Sequence, residues 1–478
     1  MRQILLIAAG EWRYWLRSYF ALAGVLVFLL LIVTSSILTA FRIDAETHTR
    51  VEQQQESEQT FLEQPDRHPH RMVHYGHYIF RAPAPLAIFD PGLDSVTGQS
   101  IFLEGHRQNT TMFAESSVSA DFGGLSAVSP ALIYQLFAPL IIILLGHAAL
   151  VRERESAALS PLLSLGVSGP RLILGKVLAL FSFILILLLP LLVSGALTLV
   201  RGEDPRSVLL LFTVYLVYLL LWGLMTLWLS TISAKRSTAL AVLAGLWFMW
   251  SLVLPSIAVN IASSTLPLAG KIETDLAMLN EKRKLGDGHN ANDPAFKQLR
   301  ADLLEKYGVQ QVEKLPINFR GLVAMEAEQK LTNMLNEYAQ ARMERESEQE
   351  KLIGNYAWLT PMLAISFVSR AIAGTDLEHY HRFQKEAEAL RFSFVQGLNQ
   401  AHMQELSYQD DINRNKDQAS WLRARVDASS WQVLDRYQFK TAVFTERFSH
   451  IKAPMQVLLI WLFLMLMVLL YSARSLKP

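Results

Sequence analysis

Cysteine is absent from this sequence of 478 residues, so disulfide bonds, thiolate metal ligands and cysteine nucleophiles are excluded. Charge is scarce as well, because Asp, Glu, Lys and Arg make up 18% of the chain, against about 25% in soluble proteins. The net charge is +1 and no concentrated basic tail is present, so we expect no nucleic-acid partner. Low charge together with 51% hydrophobic residues favours a membrane protein.

Motifs of common enzymes are missing too. No HExxH motif, no catalytic pattern of paired acids and no Ser-His-Asp order indicates an enzyme. The phosphate-binding loop of ATPases is also missing, since GPRLILGKV has different spacing and lacks Ser or Thr after Lys176. We therefore expect no cofactor in this chain, and an ATP-driven process would need a separate ATPase that carries ATP and Mg²⁺.

Apolar residues are concentrated in runs of about 18 or more, the length at which a helix crosses a ~30 Å hydrocarbon core. We predict an all-α membrane domain with six membrane-spanning helices. Their predicted ranges are Tyr19–Phe41, Ala131–Val151, Leu172–Val200, Val208–Ser230, Thr238–Ile261 and Pro454–Ser472. Residues 1–18 are predicted to form an amphipathic helix at the membrane surface, with Trp12, Tyr14 and Trp15 at headgroup level.

Lysine and arginine in the short loops predict the orientation, because cytoplasmic loops carry an excess of these residues. With a cytoplasmic N-terminus, the inner segments contain Arg2, Arg13, Arg17, Arg152, Arg154, Arg171, Lys176, Lys235, Arg236, Arg474 and Lys477. The short outer loop, residues 201–206, has two basic and two acidic residues. We therefore expect a bacterial inner-membrane protein with both termini in the cytoplasm.

Two long polar segments, 42–130 and 262–453, are then extracytoplasmic. The first begins with a polar stretch that is helical or mobile, and it continues through a proline-rich part to a weak strand signal after Ser100. The second is strongly helical, and we expect the two to form a mainly α-helical domain with a smaller α/β or irregular part.

Local signals place several helices in the second polar segment. Apolar residues at three- and four-residue spacing predict one helix near Phe319–Leu352. Thr375, with Glu378 three residues later, is the predicted cap of another. Asp293 followed by Pro294 predicts a third helix start.

The apolar stretch Ala357–Gly374 is short for a membrane span and contains Pro361 and Arg370. Runs of this length are more often re-entrant, interfacial or buried in a core. We predict that it lies on or dips into the outer membrane surface without crossing.

The first cytoplasmic loop, residues 152–171, contains the most informative pattern. An acidic pair lies among arginines, a small amphipathic helix follows, and a glycine-proline turn precedes the next span. The residues that carry this pattern are Glu153, Glu155, Leu159, Leu162, Leu163, Gly166 and Pro170. A simple connecting loop, with arginines that bind lipid phosphates, is the alternative interpretation.

This loop is similar to that of type-two ABC exporter permeases, where an acidic run, a small-residue pair, a leucine-rich helix and Gly-Lys follow in that order. Ala157-Ala158 stands where Gly-Thr is common, and Gly166-Val167 lies near the usual proline. EWRYWLRS resembles the interfacial helix of that family. A branch with large insertions after the first and fifth spans has strings similar to APAPLAIFDPG and IAGTDLEHYHRF.

The resemblance implies a permease that moves an unidentified substrate, with the loop residues named above docking into an ABC ATPase. It implies two ATPase copies and a second permease subunit, identical or paralogous, with a periplasmic partner as a further expectation. Two alternatives stay open. One is a mechanotransmission subunit that acts on a periplasmic partner without transport, and the other is a membrane scaffold or sensor without an ATPase.

Four histidines, His68, His70, His74 and His77, lie close together in the first polar segment. Helical spacing between His74 and His77 would let them share a metal ion. Because no cysteine or compact carboxylate pattern accompanies them, we favour surface or packed histidines. We accordingly expect their joint replacement to leave the metal content unchanged.

Overall fold

The computed structural model describes residues 1–112, 128–434 and 437–476. Residues 113–127 of the first polar segment and Lys477, both assigned a side of the membrane above, lie outside this described part. The helices of eight or more residues are α1 (Arg2–Arg17), α2 (Tyr19–Leu62), α3 (Pro130–Gly146), α4 (Gly169–Leu187), α5 (Leu189–Val200), α6 (Pro205–Ile232), α7 (Arg236–Phe248), α8 (Leu254–Thr265), α9 (Lys271–Leu285), α10 (Lys297–Tyr307), α11 (Phe319–Asn355), α12 (Pro361–Ala373), α13 (Leu377–Glu405) and α14 (Phe444–Arg474).

Shorter elements complete the described structure. The short α-helices are Pro69–Tyr75, Val151–Glu155, Leu159–Ser164, Tyr408–Asn413 and Gln418–Arg423. Strands β1 (His77–Phe80) and β2 (Ser100–Leu103) form an antiparallel pair in which His77 faces Leu103. The structure is therefore almost entirely helical in its described part, as the sequence predicted.

Six helices within the described residues are long and apolar enough to cross a membrane. Their ranges are Ala21–Leu62, Pro130–Glu155, Gly169–Val200, Pro205–Ile232, Arg236–Thr265 and Phe444–Arg474. Five predicted spans lie inside one of them, and the first begins two residues before Ala21, so an all-α polytopic membrane protein is confirmed. Helix α6 and the helix Pro130–Glu155 are the most enclosed, and Tyr215, Tyr218 and Trp222 of α6 are buried.

The bundle has two distinct ends. Both described termini and the turns that follow Glu155 and Ile232 lie at one end, where Arg236 contacts Glu155 and Ala473 contacts Gly169. We call this the terminal end. Both polar segments lie at the other end, which we call the head end.

The two polar segments pack into one head domain, defined as the described residues of 42–112 and 266–443. Helix α2 continues from the bundle into this domain as far as Leu62, and its Phe61 shares a core with Met72, Phe394 and Trp431. The two strands pack through Ile79 and Ile101 against α13. The mainly helical domain with a small strand-containing part is thus as predicted.

Two of the three predicted helix starts are confirmed, and the third is corrected by one residue. Helix α11 covers the predicted range, and Asp293 caps the turn at Pro294. The cap of α13, however, is Asp376, whose side chain accepts from the His379 amide at 3.2 Å. Thr375 is not the cap, because its hydroxyl donates instead to the backbone oxygen of Asp90 at 3.0 Å.

A re-entrant hairpin enters the bundle from the head end. The end of α11 leads into the turn Tyr356–Trp358, and α12 then returns to the head end. The hydroxyl of Thr360 donates to the Trp250 carbonyl at 2.6 Å, and Trp250 lies near the middle of the fifth long helix. The stretch Ala357–Gly374 therefore dips about halfway along the bundle without crossing it, as predicted.

Candidate functional site

Four charged side chains form a compact network at the terminal end. Lys176, which is 1% exposed, donates to Glu11 at 2.7 Å, to Glu153 at 2.6 Å and to the Ala149 carbonyl at 2.7 Å. Arg152 donates to the same Glu11 oxygen at 2.8 Å. Two positive and two negative groups therefore balance in a desolvated site, where an unpaired charge would be costly.

Helix α1 packs into the bundle beside this network. Trp15 is 5% exposed, and its indole donates to the Leu145 carbonyl at 3.1 Å. Gly175 allows close approach, since a Cβ there would lie 2.6 Å from the Cβ of Ile7. Trp15 is therefore packed inside the bundle, where Phe183 of α4 contacts its ring and the Leu145 carbonyl of α3 accepts its N–H. Its position at headgroup level stays a prediction.

The loop helix Leu159–Ser164 presents a different apolar surface from the one predicted. Leu159 is only 8% exposed, so it is not free to enter a partner's groove, whereas Leu163 is half-buried and packs partly against the bundle. Leu162 is half-buried, whereas Leu165 is 81% exposed. The helix turns its first leucine inward because the bundle is its nearest apolar neighbour. Leu165 is the exposed residue that the sequence analysis missed.

The remaining predicted loop residues have these positions and contacts within the chain. Glu153 binds Lys176 through one oxygen, and its other, buried oxygen has no hydrogen-bond partner among the described residues. Glu155 is exposed and accepts from the Arg236 amide at 2.9 Å. Gly166 has φ of 90°, and Pro170 lies in the first turn of α4. A role of the acidic pair in binding an ATPase stays a prediction.

A joint at the head end connects the domain to the bundle. It brings together the two strings that resembled the permease branch, residues 82–92 and 372–383. The Leu93 amide donates to the Thr375 carbonyl at 2.9 Å, next to the bond from Thr375 to Asp90. Gly92 has φ of 47°, and a Cβ there would lie 2.8 Å from the Thr375 Cβ. We call residues 90–93 and 374–376 the joint.

A chain of buried polar groups continues from the joint into the bundle. Asp90 accepts from Ser369 of α12, and Ser369 lies 3.0 Å from the Tyr215 hydroxyl of α6. Gln135 of α3 donates to Tyr215 at 2.9 Å and accepts from Ser366 at 3.0 Å. The hairpin is therefore held to two membrane helices by hydrogen bonds, which are stronger where water is excluded.

A second connection crosses the head end. Arg447 of α14 donates to Glu203 at 3.0 Å and to the Ile372 carbonyl at 2.9 Å, and both charged side chains are buried. Glu203 belongs to the short loop for which the sequence indicated only balanced charges. This clamp joins the loop, the end of the hairpin and the last long helix.

Two of the four histidines singled out in the sequence lie beside two further histidines in the head domain. His70 and His74 lie close to His106 and to His289 of the second polar segment. One nitrogen from each of the four rings lies within 4.8 Å of all the others. Burial, followed by the charges of the neighbouring rings, lowers the pKa of His70 to about 2, so this ring is neutral.

The other two predicted histidines lie elsewhere. His68 caps the short helix at Pro69–Tyr75 and bonds to Asp411, which also binds His402. His77 is buried alone in β1, and burial lowers its pKa to about 3. A shared metal between His74 and His77 is therefore ruled out, because the helix ends at Tyr75 before it reaches His77.

Comparison with known proteins covers only part of the chain. Residues 271–440 match the family model of a domain of unknown function, DUF3526. No curated protein matches the chain. The matched range takes in most of the second polar segment, including the hairpin and His289, and its description assigns no activity.

Proposed function

We propose that this chain is the permease subunit of an export-type ATP-binding-cassette transporter in a bacterial inner membrane. The observation that supports the proposal most is the mounting of the loop helix Leu159–Ser164. This helix lies at the terminal end and is followed at once by exposed Leu165. It comes after the segment 151–155, which Lys176 of α4 connects to α1 through Glu153 and Glu11. The similarity of the loop to those of type-two exporters agrees with this arrangement.

The turn before the loop helix is suited to transmit force. Ala157 has φ of 56°, and the Ala158 amide bonds to the Glu153 carbonyl at 2.9 Å. A short turn with internal hydrogen bonds has little freedom, so a push on the helix moves Glu153 as well. Because Glu153 is paired with buried Lys176, the displacement continues into α4 rather than being lost in the loop.

Helix contacts offer a route from the terminal end to the head domain. Helices α3 and α4 both pack on α6, and the polar chain through Tyr215 connects α6 to Ser369 of the hairpin and then to the joint. ATP binding on the two ATPases would close them and push the loop helices of both permeases. The spans would then rock, and the head domain would move with the joint.

The assembly follows from the same proposal. Two permeases, identical or paralogous, pair in the bilayer above two cytoplasmic ATPases that bind ATP and Mg²⁺. The fifth and sixth long helices bury only 17% of their apolar windows, which leaves broad surfaces for lipid and a second permease. Both termini are cytoplasmic on the basis of the arginine and lysine distribution. The head domain then lies in the periplasm, where it could receive a further partner.

The test compares two exposed apolar residues at opposite ends. Leu165→Asp changes the terminal end, whereas Val96→Asp makes the same kind of change on the head domain, where Val96 is 68% exposed. Each tagged variant is purified from native membranes and assayed for Mg²⁺-dependent ATP hydrolysis that co-purifies with the chain. We expect wild type and Val96→Asp to carry ATPase activity and Leu165→Asp to lose most of it, because burying a leucine contributes about 1.5–3 kcal/mol.

Two results would contradict the proposal. Wild-type protein without any associated ATP hydrolysis would favour the scaffold or sensor. Full activity in Leu165→Asp would show that the loop helix is not the contact with the ATPase.

Mechanotransmission without transport is the second candidate, and the joint is the observation that favours it. The head domain is held to the bundle by the joint, the polar chain and the Arg447 clamp, so a stroke could act directly on a periplasmic partner. Substrate-stimulated ATP hydrolysis with substrate flux in proteoliposomes would favour the transporter. ATP hydrolysis without flux of any substrate found in the native membranes would favour the mechanical device.

A further inference from the structure

We propose that His70, His74, His106 and His289 bind one divalent transition-metal ion and that this ion holds the two polar segments together. The proposal replaces the interpretation of His70 and His74 as surface or packed histidines, because His106 and His289 complete a set of four. The four rings come from three places in the chain. His70 and His74 lie on the short helix Pro69–Tyr75, His106 follows β2, and His289 lies between α9 and α10. The inference stands apart from the transport function, because it uses only residues of the head domain.

The geometry is that of a nearly formed four-nitrogen site. A tetrahedral zinc ion with bonds of about 2.0–2.1 Å requires nitrogens about 3.3–3.4 Å apart. The Nε2 atoms of His70 and His74 are already 3.3 Å apart. The ring centre of His289 lies 4.7 Å from the ring centre of His70 and 5.0 Å from that of His106. Small ring rotations would therefore bring all four nitrogens to one ion.

Carboxylates hold two of the rings in the orientation that a ligand needs. Glu328 lies 2.7 Å from Nδ1 of His106, and Asp287 lies 3.0 Å from Nδ1 of His289. A carboxylate on one ring nitrogen leaves the other free for the metal and makes it a better ligand. Glu328 is itself fixed by Arg391, which donates to it at 2.6 Å.

One ring nitrogen lacks any other explanation. Nε2 of His106 is buried and has no hydrogen-bond partner among the residues that the structure describes. His106 also has φ of 64°, a left-handed backbone conformation that histidine adopts more often than most non-glycine residues. A hydrogen bond between His70 and His74 would satisfy those two rings, but it would leave His106 without a partner. A metal ion satisfies all of them.

The nearby group of His68, His402 and Asp411 is a poorer candidate. Asp411 accepts from both histidines and from Asn318, and it also pairs with Arg414 and Arg320. A cation placed there would meet two arginines. We therefore interpret this group as a structural network and keep the metal at the first cluster.

The ligand set indicates the class of metal and its effect. Four neutral imidazoles suit Zn²⁺, Cu²⁺ or Ni²⁺ and are unsuited to Ca²⁺ or Mg²⁺, which prefer oxygen. Helix α9 has no buried residues. Its segment is held to the head domain by Met278 and Leu285, which are partly buried against α11, and by a hydrogen bond from Lys282 to the His106 carbonyl at 3.2 Å. An ion on His289 would fasten this segment, residues 271–293, to the first polar segment.

Zinc content is the first test. The full-length protein is purified in detergent, stripped with chelator, exposed to Zn²⁺ and freed of excess by gel filtration. We expect about one zinc per chain in wild type and in the control His450→Ala, which changes an exposed histidine away from the cluster. His289→Ala should lose the zinc without unfolding, since His289 is exposed. Equal zinc in His289→Ala and wild type, or no zinc in either, would overturn the site.

Two further measurements separate a built site from loose association. X-ray absorption should show nitrogen neighbours at about 2.0–2.1 Å. Asp287→Asn should weaken zinc binding about 10- to 100-fold while Asp302→Asn, at another exposed position, leaves it unchanged. Equal affinity in both variants would remove the orienting role of Asp287.

Hydrogen exchange tests whether the bound ion fastens residues 271–293 to the first polar segment. Zinc should protect backbone amides of residues 271–293 in wild type and leave them unchanged in His289→Ala. Bound zinc without protection of this segment would contradict the proposed connection between the two polar segments.

Discussion

The buried network around Lys176 makes a quantitative prediction about stability. Lys176→Met keeps a long unbranched side chain but removes the cation that touches both Glu11 and Glu153. Glu153 then has no cation within the network, while Glu11 keeps Arg152 at 2.8 Å. The variant therefore leaves one carboxylate unpaired and the other partly compensated.

Removing one partner of a buried ion pair costs about 3–5 kcal/mol, chiefly because the other charge remains desolvated. Arg152 still compensates Glu11, so we expect the lower end of this range, about 3 kcal/mol. The entropy of unfolding at the thermal midpoint, Tm, is about 2.1 cal/mol/K per residue, which is roughly 1 kcal/mol/K for 478 residues. A loss of about 3 kcal/mol should therefore lower Tm by roughly 3 °C.

The assay is thermal unfolding in detergent, followed by tryptophan fluorescence. Lys284→Met is the matched control, because Lys284 is exposed on α9 and its loss should leave Tm unchanged. A double variant, Glu153→Gln with Lys176→Met, should recover most of the lost stability, since it removes the unpaired carboxylate together with the cation and leaves Glu11 paired with Arg152.

The reasoning would be refuted by either of two results. One is a Lys176→Met protein that melts within about a degree of Lys284→Met, which would mean that the network carries little energy. The other is a double variant whose Tm falls as far as that of Lys176→Met, which would mean that packing rather than unpaired charge causes the loss.

Three other predictions address the head domain, the joint and the topology. Burial lowers the pKa of His77 from 6.5 to about 3. The stability that the neutral form of His77 contributes is therefore fully present above pH 6.5 and is lost as the pH drops from 6.5 toward 3. The loss at pH 5 from His77 is about 2 kcal/mol. His77→Phe should make the difference in Tm between pH 7.5 and pH 5 smaller without abolishing it, because burial also lowers the pKa of His70. A difference as large as that of wild type would contradict the part assigned to His77. Gly92→Ala should lower Tm because it forces a side chain into φ of 47° against Thr375, whereas Gly397→Ala, which meets nothing within 4 Å in α13, should raise it slightly; a similar Tm in both would remove the role given to the joint. A single cysteine at Asn290 should react with an impermeant thiol reagent in intact cells and one at Leu165 only after permeabilisation, and the reverse pattern would invert the proposed orientation.

Secondary structure and the membrane layout were largely predictable, because their signals are local. Long apolar runs located all six spans, and Pro361 with Arg370 in a short run predicted that Ala357–Gly374 does not cross. The cap of α13 was misplaced by one residue. Thr375 and Asp376 are both good cap residues, and only the bond from Thr375 to Asp90 decides between them.

The sequence by itself therefore determined the number of membrane helices, the helical character of the head domain and the position of the loop. Only the tertiary structure decided which side chains meet. Glu11 binds Lys176 across 165 positions, Asp90 bonds to Thr375 across 285, and His289 completes a set that begins at His70. Periodicity and composition report how one segment folds, and they carry no information about which distant segment it faces. That choice depends on how the helices pack against one another, which also turned Leu159 inward and left Leu165 exposed.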